Sequence, residues 1–327
     1  MTIDAQILTA LRAGGPNGVS GADLSHKLGI SRAAIWARID EMRSLGYEIE
    51  ASPHAGYHLK SVPDVLHADD ILSRLGHVKV VGRDVRVFKE TTSTNDVVEK
   101  LARDGAKEGV VVFAESQTKG RGRLGRHWIS PKGKGLWFSL LLRPHLPPHS
   151  VTRVTIATAT GVARAIRKQT GLAPQIKWPN DILFGDKKAV GILTELSAEL
   201  DTIKHMIVGV GVDVNLSADE LPASLKPIAT SLRIEAGQEF SRAALAAEIL
   251  KQLDYDYQRI LSGDFDEVAD EWVSHCSTIG RQVSIQMGGE TVHGRAEALD
   301  SDGALLLRTS HGRLERIMGG DVTVLKR

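Results

Sequence analysis

Residues 116–180 contain no aspartate or glutamate, yet they hold twelve lysines and arginines. The chain as a whole is balanced, with 41 Lys+Arg against 40 Asp+Glu, so a one-signed stretch of this length concentrates positive potential wherever it is folded together. Inside it, residues 120–126 read Gly-Arg-Gly-Arg-Leu-Gly-Arg. Glycines let a backbone adopt positive φ and approach a ligand closely. Arg121, Arg123 and Arg126 supply planar donors that match carboxylate and phosphate oxygens in pairs. The chemistry implied is an anion cradle, one that could also close as a lid. No Gly-Lys-Ser/Thr follows, so this is not a Walker loop, and neither the spacing nor the flanks fit a dinucleotide-binding fingerprint. Flanking strand-like segments argue against a disordered Arg/Gly tail, and the bland alternative is a solvated basic loop.

The rest of the composition sets the frame. The chain has 327 residues, long enough for two or three domains, with 42% hydrophobic and 25% charged residues, which excludes disordered and collagen-like classes. Near-zero net charge excludes nucleic-acid binding by bulk charge alone. One cysteine, Cys276, permits no intramolecular disulfide framework and no cysteine-based zinc site. No signal peptide and no apolar run long enough to span a bilayer can be read, so the expected location is cytoplasmic, with no membrane partner.

Three regions carry different patterns. In residues 1–62, Ile7, Leu8 and Leu11 recur at helical spacing, Ser20 precedes Asp23 as a capping box, and Ser31 opens a helix with Ile35, Ile39 and Met42 on one face and Arg32, Trp36, Asp40 and Arg43 on the other. Tyr47, Ile49, Gly56, Tyr57 and Leu59 follow as a hairpin. This order predicts a winged helix-turn-helix in which Ser31, Arg32, Trp36 and Arg43 meet DNA. A small helical interaction domain without DNA is the alternative, since residues 1–60 carry six Lys/Arg against six Asp/Glu. Residues 61–67 read as a linker. Residues 68–275 alternate strands (78–87, 110–115, 136–142, 190–196, 206–214) with helices (95–102, 151–169, 241–261), an α+β sheet domain. Residues 278–327 carry short strands and turns that suggest a small SH3-like β-barrel.

Five segments in order then resemble the biotin–protein ligases: Thr92-Ser93-Thr94-Asn95; residues 120–126 with Trp128; Lys177-Trp178-Pro179-Asn180-Asp181; Lys188-Ala189-Val190-Gly191 with Glu195; and Gly209-Val210-Gly211-Val212-Asp213-Val214-Asn215. With the flanking domains, the layout is similar to the bacterial bifunctional type, a ligase that also represses biotin-synthesis genes. The resemblance implies a mixed-sheet catalytic domain like that of class II aminoacyl-tRNA synthetases. It implies ATP and Mg2+ as cofactors, biotin as substrate, biotinyl-5′-AMP as bound intermediate, and transfer to one lysine of the biotin carboxyl carrier protein of acetyl-CoA carboxylase. It further implies operator DNA and a ligand-favoured homodimer as partners. A lipoate–protein ligase, or a ligand-sensing DNA-binding regulator without ligase activity, are the competing readings.

Residue by residue, the resemblance places Ser93, Thr94, Asn95 and Gln117 on the ureido ring of biotin. Arg121, Gly122 and Arg123 would close over its tail and the phosphates. Lys188 would sit between the biotin carboxylate and the α-phosphate, with Arg123 and Asp181 completing the catalytic set. Arg121, Arg126, Asp181 and Asn215 would contact the nucleotide, and Asp181 would hold Mg2+. Other roles stay open for the same residues. Ser93 and Thr94 could cap a helix, Asp181 could turn the chain or pair with Lys177, and Lys187 is adjacent to Lys188. Two positions depart from the family pattern: Asp213 stands where asparagine is common, and Leu124 where a charged or aromatic residue is. The resemblance also implies that residues 116–130 order over the ligand to keep water from the adenylate.

Overall fold

The computed structural model describes residues 1–52, 56–199 and 202–325. The first unit holds α1 (Ile3–Gly14), α2 (Gly21–Leu28), α3 (Arg32–Ser44) and the antiparallel pair β1 (Glu48–Ser52) and β2 (Gly56–Ser61). The hairpin tip expected here, residues 53–55, lies outside the described residues. Ser20 Oγ accepts from Ala22 and Asp23 N–H, and Ser31 Oγ from Ala34 N–H, so both caps form as the sequence predicts. Ile7, Leu8, Leu11, Leu24, Ile35 and Ile39 close a separate small core. Each such burial contributes roughly 1.5–3 kcal/mol.

The stretch read as a linker, residues 61–67, is followed by a helix that the sequence does not announce, α4 (Ala68–Leu75). Ile71 and Leu75 point inward, and α4 packs against both α1 and the later helix α8 (Arg242–Ser262). Its Asp70, 1% exposed, is ion-paired to Arg12 of α1 and to Arg74, and Arg12 Nε also reaches Ser73 Oγ at 3.4 Å. The winged unit is therefore docked on the central domain through charge and hydrogen bonds.

The central domain is a seven-stranded sheet. Its strands are β3 (Asp84–Phe88), β4 (Val110–Ala114), β5 (Gly135–Leu142), β6 (Gln175–Lys177), β7 (Asp181–Phe184), β8 (Lys187–Glu199) and β9 (Thr202–Asp213), in spatial order β3-β4-β5-β9-β8-β7-β6. Only β3 and β4 run parallel. On one face lies α5 (Thr94–Arg103), whose Val98 and Ala102 meet Val110, Val112, Leu141 and Ile207. On the other lie α6 (Val151–Thr170), α8 and α9 (Phe265–Ser274), over a core that includes Val111, Phe113 and Phe138. A short α7 (Leu232–Ala236) follows β9. Residues 78–87 are strand-like in sequence, but β3 begins only at Asp84. The Asp254 carboxylate of α8 accepts the N–H groups of Lys79, Val80 and Val81 at 2.7, 2.7 and 2.9 Å, which holds that segment in a turn.

Five antiparallel strands follow where the barrel was expected: β10 (Gln282–Met287), β11 (Glu290–Leu299), β12 (Leu305–Thr309), β13 (Leu314–Ile317) and β14 (Asp321–Val324), ordered β13-β12-β11-β10-β14. Their Val283, Ile285, Leu305 and Leu307 join the core of the central domain. Trp178, 1% exposed, donates from Nε1 to Gly303 O, so the tryptophan of the 177–181 segment packs the two units together. Among the described residues no helix is long and apolar enough to cross a membrane.

Candidate active site

A cavity of about 430 Å3 opens over β7, β8 and β9, and segments far apart in sequence meet in it. Glycine makes the floor. Across the sheet Asp181 is opposite Gly191, which is opposite Gly211, and Leu193 is opposite Gly209. A Cβ at Gly209 would lie 2.3 Å from Asn95 Oδ1, and one at Gly211 would lie 2.4 Å from Trp128 Nε1. The Gly-x-Gly pattern thus leaves room for two side chains from other elements to settle on bare backbone.

One end is a polar network. Gln117 Oε1 accepts from Thr94 N–H at 2.8 Å and Thr94 Oγ1 at 3.2 Å, and Gln117 Nε2 donates to Ser130 Oγ at 2.9 Å. Thr94 and Ser139 hydroxyls are 2.6 Å apart, Ser139 donates to Asn95 Oδ1 at 2.5 Å, and Asn95 Nδ2 donates to Glu195 at 2.8 Å. Ser93 precedes α5 and makes no side-chain capping bond, so the capping role considered for it is not taken. Up to the Glu195 carboxylate that ends it, this is a chain of neutral donors and acceptors, which suits a neutral ring bearing both N–H and C=O.

The cationic loop closes the other side. Gly122 N–H donates to Arg126 O at 2.7 Å and Trp128 N–H to Gly120 O at 2.9 Å, and Leu124 takes φ 55° at the tip. Arg121 pairs with Asp96 at 2.5 Å and Glu195 at 3.3 Å. Burial pulls its guanidinium down, but the Asp96 hydrogen bond and the two carboxylate charges outweigh this and raise its pKa. Arg123 has neutral partners, Asn180 Oδ1 at 2.9 Å and Gly320 O at 3.2 Å. Arg126 is ion-paired with Asp321 of β14, so the C-terminal sheet contributes a carboxylate to the cavity wall.

At the centre, Lys188 Nζ lies 2.6 Å from Asp181 Oδ1 and 5.2 Å from the centre of the Trp128 ring. The lysine that turns inward is thus Lys188, and Asp181 pairs with it and not with Lys177. The Trp128 Nε1–H is buried without an acceptor among the described residues. Asp213, at the end of β9, also lines the cavity; burial pushes its carboxyl well up, against the pull of Lys188. Asn215 is placed elsewhere, its amide spent on the backbone of Phe240 at 2.9 and 3.0 Å.

The acid-free stretch is not a single cationic patch. Arg121, Arg123, Arg126 and Lys177 line the cavity. Arg164 is bound to Asp256 and Glu271, Lys168 to Glu248, Arg153 to Asp302, and Arg143 to the carbonyls of Ala102, Ala106 and Lys204. These tie α6 and β5 to their neighbours. Ser139, Asp96 and Asp321 carry no role in the sequence analysis, because their partners stand many residues away and no local spacing marks them; Glu195 stands in the 188–195 segment, but its partners Asn95 and Arg121 are legible only in the structure.

Residues 87–213 match the Biotin/lipoate A/B protein ligase family, residues 4–58 an HTH domain, and residues 278–325 the Biotin protein ligase C terminal domain. Over 321 residues the chain is 36% identical to the Bifunctional ligase/repressor BirA of Bacillus subtilis, covering 98% of each protein. The chain belongs to the bifunctional ligase/repressor family. Its counterpart BirA of Escherichia coli is 31% identical over 93% of this chain and 92% of that one. Among solved structures, the biotin protein ligase from Aquifex aeolicus in complex with biotin and ATP matches with a TM-score of 0.64 at 29% identity, covering 75% of this chain and all of that one. The winged unit is the part that matches the HTH domain. There α3 exposes Arg32 and Trp36, while Arg43 turns back and donates to Ile49 O at 2.7 and 2.8 Å, bracing the wing.

Proposed function

We propose that this protein attaches biotin to a lysine of a biotin carboxyl carrier protein through biotinyl-5′-AMP and, with that intermediate bound, represses transcription through its winged unit. The observation that carries the reading is the single cavity in which a neutral polar network, a lysine and three loop arginines converge.

The ureido ring lies against Thr94, Asn95 and Gln117, with Ser93 beside them. This directs the carboxylate along the floor toward Lys188. Adenylation brings that carboxylate onto the α-phosphorus of ATP, forms the C–O–P bond and expels pyrophosphate. Two anions must be brought together, and fixed cations offset their repulsion without reorganising. Lys188 provides a compact charge between the two reacting oxygens, and its pairing with Asp181 fixes where the ammonium stands. Arg121 and Arg126 are held by carboxylates that the ligand's own anionic groups replace, while Arg123 already faces only neutral acceptors.

Magnesium prefers oxygen ligands and commonly takes most of them from phosphates and water. Among the described residues no group of three or more candidate metal-binding side chains exists, which suits an ion brought in by the nucleotide with Asp181 as its protein ligand. Bound there, the ion would neutralise phosphate charge. In the second step the carrier's lysine amine attacks the acyl carbon of the mixed anhydride and AMP leaves. The closed loop keeps water out until then.

For regulation, two chains present α3 to the half-sites of a palindromic operator, with Ser31 fixing the helix start and Arg32 and Trp36 reaching DNA. The domains then run over 1–62, 68–275 and 278–327. The decisive experiment incubates the protein with ATP, Mg2+ and labelled biotin. Biotinyl-AMP and labelled carrier domain are expected, with no product from lipoate. No biotin-dependent pyrophosphate exchange overturns the reading.

A further inference from the structure

Asp213 is an unusual carboxylate. It is 7% exposed and lines the cavity, and no donor among the described residues gives it a hydrogen bond. It lies two residues beyond Gly211, on the sheet face that carries Asp181, with Gly135 opposite it on β5. Lys188 of β8 is the cation that acts on it, and that ammonium is already 2.6 Å from Asp181 of β7. The next charges are self-contained. Lys134, beside Gly135, is bound to Glu220 at 2.7 Å, and Arg242 of α8, which reaches Gly135 O at 3.4 Å, is held by Glu115 and Asp64. An ionised Asp213 would therefore share one lysine with a second carboxylate while almost wholly buried. Burial without hydrogen bonds favours the uncharged form of a carboxyl.

An adenylate adds another negative charge to the same half of the cavity. A carboxylate there would repel it, whereas a carboxylic acid offers an O–H to an anionic or carbonyl oxygen. We propose that Asp213 meets the adenylate as a neutral carboxylic acid and donates a hydrogen bond to it, so that ligand binding keeps one proton on this residue. The inference rests on the adenylate reading of the cavity. No bond is made or broken; the proton comes from solvent when the free carboxyl is ionised, and stays on the Asp213 carboxyl in the complex.

The test uses the full-length protein and biotinol-5′-AMP, a hydrolysis-resistant anionic analogue, titrated calorimetrically from pH 6 to 9 in buffers of different ionisation enthalpy. Above the pKa of the free carboxyl, wild type should take up one proton on binding, and its affinity should fall by about tenfold per pH unit. Asp213→Asn, which keeps the shape and a donor but cannot titrate, should lose both effects. Any linkage from Lys188 or Asp181 would persist in that variant. Infrared spectra of protein labelled with 13C at the aspartate carboxyl carbons should show, in the complex, an acid C=O band that is missing from Asp213→Asn. This readout needs only the folded wild type and does not depend on activity. No acid band in the wild-type complex, or equal proton uptake in both proteins at a pH where the free wild type shows no acid band, overturns the proposal. Failure of wild type to bind the analogue at any pH overturns the adenylate reading and the proposal together.

Discussion

The Lys188 ammonium and the Asp181 carboxylate meet at 2.6 Å across adjacent strands β8 and β7. Gly191, opposite Asp181, makes this possible, because a Cβ there would stand 3.0 Å from Lys188 Nζ. Replacing Lys188 with Met removes the charge that the adenylation step needs, while the ring network stays intact. Biotin-dependent pyrophosphate exchange should fall by about 10²–10³, the scale for deleting one preorganised electrostatic group. Biotin affinity should change far less. A kcat within a few-fold of wild type would remove Lys188 from its assigned position.

Arg123 supports a different expectation. Its guanidinium ties the loop to Asn180 of the central domain and Gly320 of the C-terminal sheet. Arg123→Gly should loosen the loop and let adenylate escape, so that bystander proteins become biotinylated on surface lysines. The measurement is label appearing on a carrier-free protein mixture, and no increase over wild type would refute the retaining role. The same loop, residues 116–130, should be cut by protease more slowly when biotin is present.

These two residues also show which parts of the site are legible in sequence. Lys188, Asp181 and the loop arginines stand out because glycine, charge and spacing are local signals. Asp321 does not, since it acquires its meaning from an arginine 195 residues away, and Glu195, though part of a motif, shows its pairing with Arg121 only in the fold. The same holds for the fold. Helix α3 announces itself by Ser31 and a period of buried Ile35, Ile39 and Met42. The turn at 79–81 does not, because Asp254, distant in sequence, overrides a run of strand-forming valines. Asn215 carries the motif signal yet is placed behind the cavity on Phe240, so the motif marks the neighbourhood and the fold selects which residue faces inward.

The floor glycines give a prediction that links packing to recognition. A methyl at Gly211 would meet Trp128 Nε1 at 2.4 Å, and the nearest ring carbon at 2.5 Å. The indole must then lift from the floor and disturb its 5.2 Å contact with Lys188. Gly211→Ala should weaken biotin binding by at least about tenfold, or 1.4 kcal/mol. It should also shift the tryptophan emission, since the half-buried ring gains solvent. Unchanged binding and emission together would mean that the indole has another resting place.

Glu220 on the cavity wall reports on acid tolerance. The Lys134 hydrogen bond, and after it the Ser217 N–H, hold its carboxyl down at about 2, against an ordinary value of 4.5. A carboxylate depressed in the folded state stabilises fully above its unfolded pKa, and this contribution is lost as pH falls through the folded one. The contact between β5's leading edge and residues 216–229 should therefore persist at pH 5 and fade between about 4.5 and 2. Carboxyl-detected NMR titration of Glu220 checks this, and in Lys134→Met the midpoint should return toward the ordinary range. A wild-type midpoint above 4 would mean that the pair does not form in solution.

Docking of the winged unit separates the two activities. Asp70 is 1% exposed and accepts from Arg12 across the α1–α4 contact. Burial lowers the Arg12 pKa despite the opposing pull of Asp70, so the guanidinium depends on this partner. Asp70→Ala strands a partly buried cation, at a cost of about 1–3 kcal/mol for the unsatisfied group. The cavity lies on other elements and none of its lining residues belongs to α1 or α4. Calorimetry should therefore show the winged unit melting earlier as a separate transition, with pyrophosphate exchange preserved and operator affinity reduced. Trp36→Ala, which touches no core residue's place, should reduce operator affinity without moving either melting transition. Loss of adenylation in Asp70→Ala would mean that the winged unit takes part in catalysis, and that its contact with α4 does more than orient it toward DNA.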